Sequence, residues 1–383
     1  MTELARRVDA VVDGALAAER IVGAVVLVSV DGVVVHRRAG GLDDREADIA
    51  MRDDAVFRLA SVSKLLVATT AMVLVGRGRL GLDDRVDRWL PEFRPRLADG
   101  SAATITVRHL LTHTAGLGYG FLEPPDRPYH RAGVSDGLDG AGLDGAALTL
   151  DENMRRLASV PLLFEPGTAW TYSLSIDVLG AVVERAAGQT LPAAVRDLLT
   201  EPQGLSHTGF SVTRSVRLAL AYADATPRPR RMSGADHFPA VEGLAPLAAD
   251  LDRAYDDLAF PSGGGGMVGT ADDTLRVLET LRRGGAPILP DGLTAEMARN
   301  QTGTLSMADW PGWSYGLGFA MLRDAAGTPE TPGTWRWGGA YGHTWFVDPA
   351  KRLSVVAFTN TASEGVSGRF PQDVTRAIYA ALS

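Results

Sequence analysis

Two serines in this chain stand in patterns that could do nucleophilic chemistry. Ser61 opens SVSK (61–64), a Ser-x-x-Lys arrangement, and Ser135 is the centre of GVSDG (133–137), a G-x-S-x-G string. A serine hydroxyl attacks well only when a neighbouring group takes its proton. Residues three apart share one face of a helix, so Lys64 can bring its amine to the Ser61 hydroxyl. Lysine is informative here because 38 basic residues include only two lysines, Lys64 and Lys351. Arginine holds its proton at any useful pH, whereas a lysine desolvated inside a protein can release it and act as a base.

The flanks separate the two serines. FRLA leads through SVSK into LLVATTAMVLVGRG, apolar on nearly every face, which predicts a helix buried in the middle of the protein. Ser61 then falls in its first turn, where unpaired N–H groups and the positive dipole end favour developing negative charge. The plainer alternative is an N-cap serine followed by a snorkelling lysine. A G-x-S-x-G nucleophile needs a buried strand before it and a helix after it. Ser135 has EPPDRPYHRA before it and LDGAGLDG after it, and neither can be such an element. With 43 glycines in the chain the match is compositional, and Ser135 reads as a loop serine.

The elements that must position these residues follow from the patterning. An amphipathic N-terminal segment precedes AVVLVSV (24–30) and VVVHRRA (33–39), which flank Asp31-Gly32, a strong two-residue hairpin signal. Helical patterns then dominate: the segment from Ser61 to about Arg77, 105–113, 152–160, 175–188 and 191–199. A Gly/Pro/Asp-rich stretch at 123–147 interrupts them. The run SGGGG (262–266) leads through a Thr270/Asp273 capping pair into a helix. Strand patterns return at 315–322, 334–339, 343–348 and 353–360, and a helix over 374–382 closes the chain. Strands at both ends with helices between predict a discontinuous α/β lobe of residues 1–60 and 250–383, built on an antiparallel sheet. Residues 61–249 form a mainly helical lobe, with the site in the cleft between the two.

Bulk properties narrow the function. A net charge of −8 with no basic run argues against nucleic acid and anionic membranes as partners. No cysteine is present, which excludes disulfides and thiolate chemistry. No stretch reaches the roughly 18 apolar residues of a membrane span, and no secretory signal pattern is seen, so a cytoplasmic location is expected. His109 and His113 have the i, i+4 spacing of a zinc pair, but no glutamate lies between them and no third ligand stands out. They are read as packing a helix–loop junction, with no metal. The glycines 263–266 lack the G-K-[ST] of a phosphate loop and read as a tight crossing near the site.

Further stretches, taken in order, carry a resemblance. SVSK (61–64), HLLTHTAGL (109–117), Tyr172 within PGTAWTYS, PSGGGGM (261–267), YGLGF (315–319) and Trp337-Gly338-Gly339 run nearly end to end. In this order they resemble the serine β-lactamase and penicillin-binding-protein superfamily, in its class C-like branch, and most closely the family VIII carboxylesterases. The resemblance implies the β-lactamase/transpeptidase-like fold, with an antiparallel sheet flanked by terminal helices and an inserted helical lobe. It implies Ser61 as nucleophile, Lys64 as general base, Tyr172 as proton relay, and the N–H groups of Ser61 and Ala340 as oxyanion hole. It implies a pocket formed by Trp337, Gly338 and Gly339, with Tyr119, Trp310, Trp313 and Tyr315 in loops folded around the cleft, where the alternative is loop packing. His343 follows the Trp-Gly-Gly strand closely and reads either as a residue facing the pocket or as a structural hydrogen-bonding residue. Ser135-Asp136-Gly137 is similar to the S-D-N element of some members but lacks the asparagine.

Two departures bear on the substrate. The β-lactamase Tyr-x-Asn becomes Tyr172-Ser173-Leu174, and Lys-Thr-Gly becomes Trp337-Gly338-Gly339. Loss of that lysine removes the cation that holds a β-lactam carboxylate, and points to neutral esters. The expectation is a serine carboxylesterase for small, short-chain esters, working through an acyl-enzyme with no cofactor. The alternatives are acyl transfer to an alcohol or amine, β-lactam or D-peptide opening on the same acyl-enzyme, and a scaffold kept only for binding. Nothing in the sequence sets the oligomeric state.

Overall fold

The computed structural model describes the chain except residues 1, 125, 140–147, 240–243, 308–309, 326 and 383. Its frame is an eight-stranded antiparallel sheet. In chain order the strands are β1 (Gly23–Val30), β2 (Val33–Asp44), β3 (Ile49–Ala50), β4 (Trp313–Tyr315), β5 (Ala320–Leu322), β6 (Trp335–Gly339), β7 (His343–Asp348) and β8 (Leu353–Thr359). In space they run β4-β5-β6-β7-β8-β1-β2-β3, so the two ends of the chain meet where β8 pairs with β1. The β1–β2 turn has positive φ at both Asp31 and Gly32, the geometry that an Asp-Gly pair favours.

Both faces of the sheet are covered, which explains why β1 reads as an unbroken apolar run. Ala24, Val26 and Val28 pack with helices α1 (Glu3–Ala17) and α5 (Arg369–Leu382), through residues such as Val8, Val12, Val374 and Ile378. Val25 and Leu27 point the other way, into a cluster shared with the helical part of the chain. The centre of that cluster is α2 (Ser63–Gly76), with twelve of its fourteen residues buried. Its buried hydroxyls are satisfied within the helix: Thr69 and Thr70 donate to the carbonyls of Leu65 and Leu66. Helices α3 (Ser175–Ala187) and α4 (Ala271–Arg282) complete the packing. Half of the expected α4 cap is present: Thr270 Oγ1 accepts from the Asp273 N–H at 3.1 Å, while the Asp273 carboxylate turns away and accepts from the His207 N–H and Thr208 Oγ1.

The sequence pattern misleads in two places. YGLGFAML (315–322) is two strands separated by a turn, because Gly316 and Gly318 sit where a side chain would strike the Met297 carbonyl and Ala68. Residues 205–249, assigned to the mainly helical lobe, hold no α-helix among the described residues. They form two small antiparallel pairs, Tyr222–Ala223 with Arg230–Arg231 and Ala235–Phe238 with Leu247–Asp250.

Candidate active site

A short strand, Val56–Arg58, pairs with Val268–Thr270 and delivers the chain to Ser61. Ala60 takes a φ of +45°, uncommon for a residue with a side chain, in a 3₁₀ turn spanning Ala60–Val62. Ser61 therefore stands just ahead of α2, where the sequence pattern had put it inside the first α-turn. The relation to Lys64 survives because residues i and i+3 also align in a 3₁₀ turn. Lys64 is fully buried. Its Nζ donates to Ser61 Oγ at 3.0 Å and to the Gly264 carbonyl at 2.6 Å.

Tyr172 arrives from the segment ahead of α3, and its hydroxyl donates to Ser61 Oγ at 2.6 Å. The Lys64 amine lies 4.8 Å from the Tyr172 ring centre. The ring is held by Tyr119 at 5.0 Å, His113 at 5.1 Å and Trp337 at 5.2 Å between centroids. His113 is fully buried, with Nδ1 bonded to Ser173 Oγ, and burial holds its imidazole well below the usual histidine range. His109 does something different: it forms a capping box with Thr106 at the start of helix Val107–Leu111. The two histidines thus pack a helix–loop junction, and one of them braces Tyr172.

The end of β6 supplies the opposite wall. A Cβ on Gly339 would collide with the Leu59 carbonyl, so glycine is what lets the strand end come against the Ser61 turn. Next along, the Ala340 N–H has no partner among the described residues. β5 pairs with β6 only at Trp335 and Arg336, so the edge of β6 from Trp337 onward is open.

Sequence reasoning missed Asp177, in the first turn of α3. Its carboxylate accepts from Ser262 Oγ at 2.5 Å and from the Gly264 N–H at 3.2 Å. A side chain on Gly264 would strike this carboxylate. Asp177 so fixes the glycine crossing that offers the Gly264 carbonyl to Lys64. Burial pushes its carboxyl up, against the opposing pull of Lys64. The only sequence signal was an acidic residue in the otherwise apolar first half of α3.

These residues open onto a cleft of about 480 Å³ lined by Ser61, Tyr172, Tyr119, Trp337, Gly338, Gly339 and Ala340. Two expected pocket residues are elsewhere. His343 is buried between Phe57 and Phe358, with Nε2 bonded to the Arg58 carbonyl, and burial lowers it to about 4. It sits behind the cleft wall because β7 alternation turns it into the core. Trp313 lies one layer back, edge-on to Trp310, and it is Trp310 that reaches the cleft. Ser135 is fully buried, and its hydroxyl donates to Asp139. Its neighbour Asp136 does line the cleft and accepts from the N–H groups of Gly120 and Phe121 at 2.7 and 2.9 Å. Burial lifts the Asp136 carboxyl to about 7.

The chain is similar to known proteins over nearly its whole length. The chain is 51% identical to Esterase EstB of Burkholderia gladioli, over 98% of this chain and 95% of that protein. It is 29% identical to monacolin J acid methylbutanoyltransferase of Aspergillus terreus, over 80% and 76% of the two chains. The solved structure of EstCE1, described as a hydrolase with promiscuous acyltransferase activity, superposes with a TM-score of 0.95. That match has 46% identity and covers 98% of both chains. The beta-lactamase family profile matches residues 8–379. With the sheet, its flanking helices and the Ser-x-x-Lys turn all in place across almost the whole length, the chain belongs to the β-lactamase family, and its fold is the β-lactamase/transpeptidase-like one.

Proposed function

We propose that the protein is a serine carboxylesterase for small esters, with Ser61 as nucleophile. The observation that carries this reading is the convergence of Lys64 Nζ and Tyr172 Oη on Ser61 Oγ at the floor of an open cleft. Ser61 Oγ attacks the ester carbonyl carbon while its proton passes to the Lys64–Tyr172 pair. Charge developing on the carbonyl oxygen is met by the Ser61 and Ala340 N–H groups. The C–O bond to the alcohol then breaks, and the leaving oxygen takes a proton from Tyr172. Water attacks the acyl-enzyme by the reverse path, giving the carboxylic acid and restoring Ser61. The aromatic lining by Tyr119, Tyr172, Trp310 and Trp337 favours an apolar group next to the carbonyl.

A second reading is acyl transfer, in which an alcohol replaces water. The description of EstCE1 and the methylbutanoyltransferase relative support it. Turnover of p-nitrophenyl butyrate and of nitrocefin, each with and without an added alcohol, separates the readings. Hydrolysis of the butyrate with little nitrocefin turnover is expected, together with fluorophosphonate labelling at Ser61. A folded protein that takes no label, or labels elsewhere, overturns the proposal.

A further inference from the structure

The cleft continues past Ser61 around the open edge of β6, and its second arm differs chemically from the aromatic one. Along β6, Trp337 and Gly339 face the Ser61 side while Arg336 and Gly338 face the other. That other side is lined by Arg336, Thr344 and Val366, with Ser367 and Gln372 at the mouth. The Arg336 side chain is 19% exposed, and its guanidinium lies 5.6 Å from the Trp313 ring centre and 5.9 Å from that of Phe346. Stacking of this kind holds the planar group in one orientation.

Only Nη1 of Arg336 has a hydrogen-bond partner among the described residues, Glu330 Oε2 at 3.2 Å. Glu330 is buried, and Oε2 also accepts from Thr328 Oγ1 at 2.7 Å. Glu330 thus anchors one corner of a group that has five N–H donors, and leaves the others for the cleft. A fixed, stacked guanidinium with spare paired donors is matched by a carboxylate, which it holds bidentately.

From this we infer that the cleft takes an ester with a carboxylate at the far end of one arm, held by Arg336. The inference rests on the esterase reading above and deepens it. Trp337 itself carries no charge, and the cation of this strand is the preceding residue, Arg336, on the other face and farther from Ser61. Arg336 precedes Ala340 by four residues, roughly 13 Å of strand. The ester and the carboxylate must therefore be separated by a chain that spans most of that distance, so a short dicarboxylic monoester gains nothing. The short group of the ester occupies the aromatic arm.

The test compares kcat/KM for p-nitrophenyl hydrogen suberate with that for p-nitrophenyl octanoate, which differ only in the end group. The same comparison with the carboxylate on the alcohol is the butyrate ester of ω-hydroxyoctanoate against octyl butyrate. The wild type is expected to prefer the carboxylate in one of these pairs by on the order of tenfold. The hydrogen succinate ester shows no such preference over butyrate. Arg336→Gln, and the pair Arg336→Gln/Glu330→Gln that avoids a buried unpaired carboxylate, bring the ratio to about one. Arg336→Lys keeps part of it. Phosphonate titration of Ser61 counts folded sites in every variant. No preference in either pair, or a preference that survives Arg336→Gln, overturns the inference while leaving the esterase reading intact. Absence of turnover and of labelling in the wild type removes the esterase reading, and the inference with it.

Discussion

Ser61 and Ser135 are both polar residues in an apolar neighbourhood, and each has an ionisable group within reach. They differ in what is left over. Ser135 Oγ donates to Asp139 and accepts from the Gly137 N–H at 3.0 Å. Its N–H and carbonyl are both used by Asn153, at 2.9 and 3.1 Å. The residue is closed to substrate, a loop knot tied by its own side chain. Ser61 Oγ is approached by Lys64 and Tyr172 from within the protein, and its remaining side faces the cleft. A G-x-S-x-G match records spacing alone. The chemistry needs one unspent direction on the oxygen and a base that is itself held in place.

The largest expected contrast is between the serines. Ser61→Ala should lower ester kcat/KM by about four orders of magnitude or more, since the nucleophile is gone. Ser135→Ala should change it less than about threefold, while costing ~1–3 kcal/mol of stability because the half-buried Asp139 loses its donor. Parallel kinetics and urea melts check both. Inactivation by Ser135→Ala of a folded protein would reverse the assignment.

Next in size are the groups that converge on Ser61. Lys64→Arg should be nearly as damaging as Lys64→Ala, with losses of about a hundred- to ten-thousandfold, because arginine keeps charge without serving as a base. Tyr172→Phe should fall in the same range. Substantial turnover by Lys64→Arg would remove the general-base role and leave Lys64 as a structural cation.

A smaller effect follows from the strand that closes the site. Gly339→Ala must push β6 away from the Leu59 carbonyl, and with it the Ala340 N–H. A misplacement of this kind should cost roughly a hundredfold in kcat with little change in KM. The thermal midpoint tells whether the strand has merely moved or the sheet has opened. An unchanged kcat would mean that Ala340 contributes no oxyanion contact.

Much of this was legible in the sequence because it is local. The SVSK spacing, the Asp-Gly turn and the Thr270 cap depend on neighbours a few residues away, and short runs of apolar and aromatic residues marked most strands of the sheet. What was not legible depends on contacts between distant parts of the chain. Asp177 matters because Gly264 passes directly over it, 87 residues later in the chain. His343 looked like a pocket residue from its closeness to the Trp-Gly-Gly strand, and Trp313 from a segment that the resemblance folds around the cleft, yet alternation and layering turn the first into the core and set the second behind Trp310. The GVSDG string was misleading at its serine, while its neighbour Asp136 was the residue that reaches the cleft.

That neighbour gives the subtlest test, because the Ser135 loop and the Ser61 wall carry titratable groups of opposite pH sense. The Asp136 carboxyl is raised from 3.8 to about 7 in the folded protein, and the His343 imidazole lowered from 6.5 to about 4. Between 3.8 and about 7 the folded chain holds a proton on Asp136 that the unfolded chain releases. Its contribution to stability is full below the lower value and is lost as pH rises through the upper one. Between 6.5 and about 4 the unfolded chain protonates His343 and the folded chain does not. Its contribution is present above the upper value and is lost as pH falls toward the lower one. In the wild type the two slopes oppose each other across the shared acid range. Asp136→Asn should unmask the histidine, so that stability relative to wild type declines in urea melts as pH drops from 8 towards 4.5, through most of both titration ranges. His343→Gln should do the reverse, gaining on the wild type over the same acidification. If both variants parallel the wild type at every pH, neither group is desolvated by the fold, and the cleft wall at Asp136 is open to water.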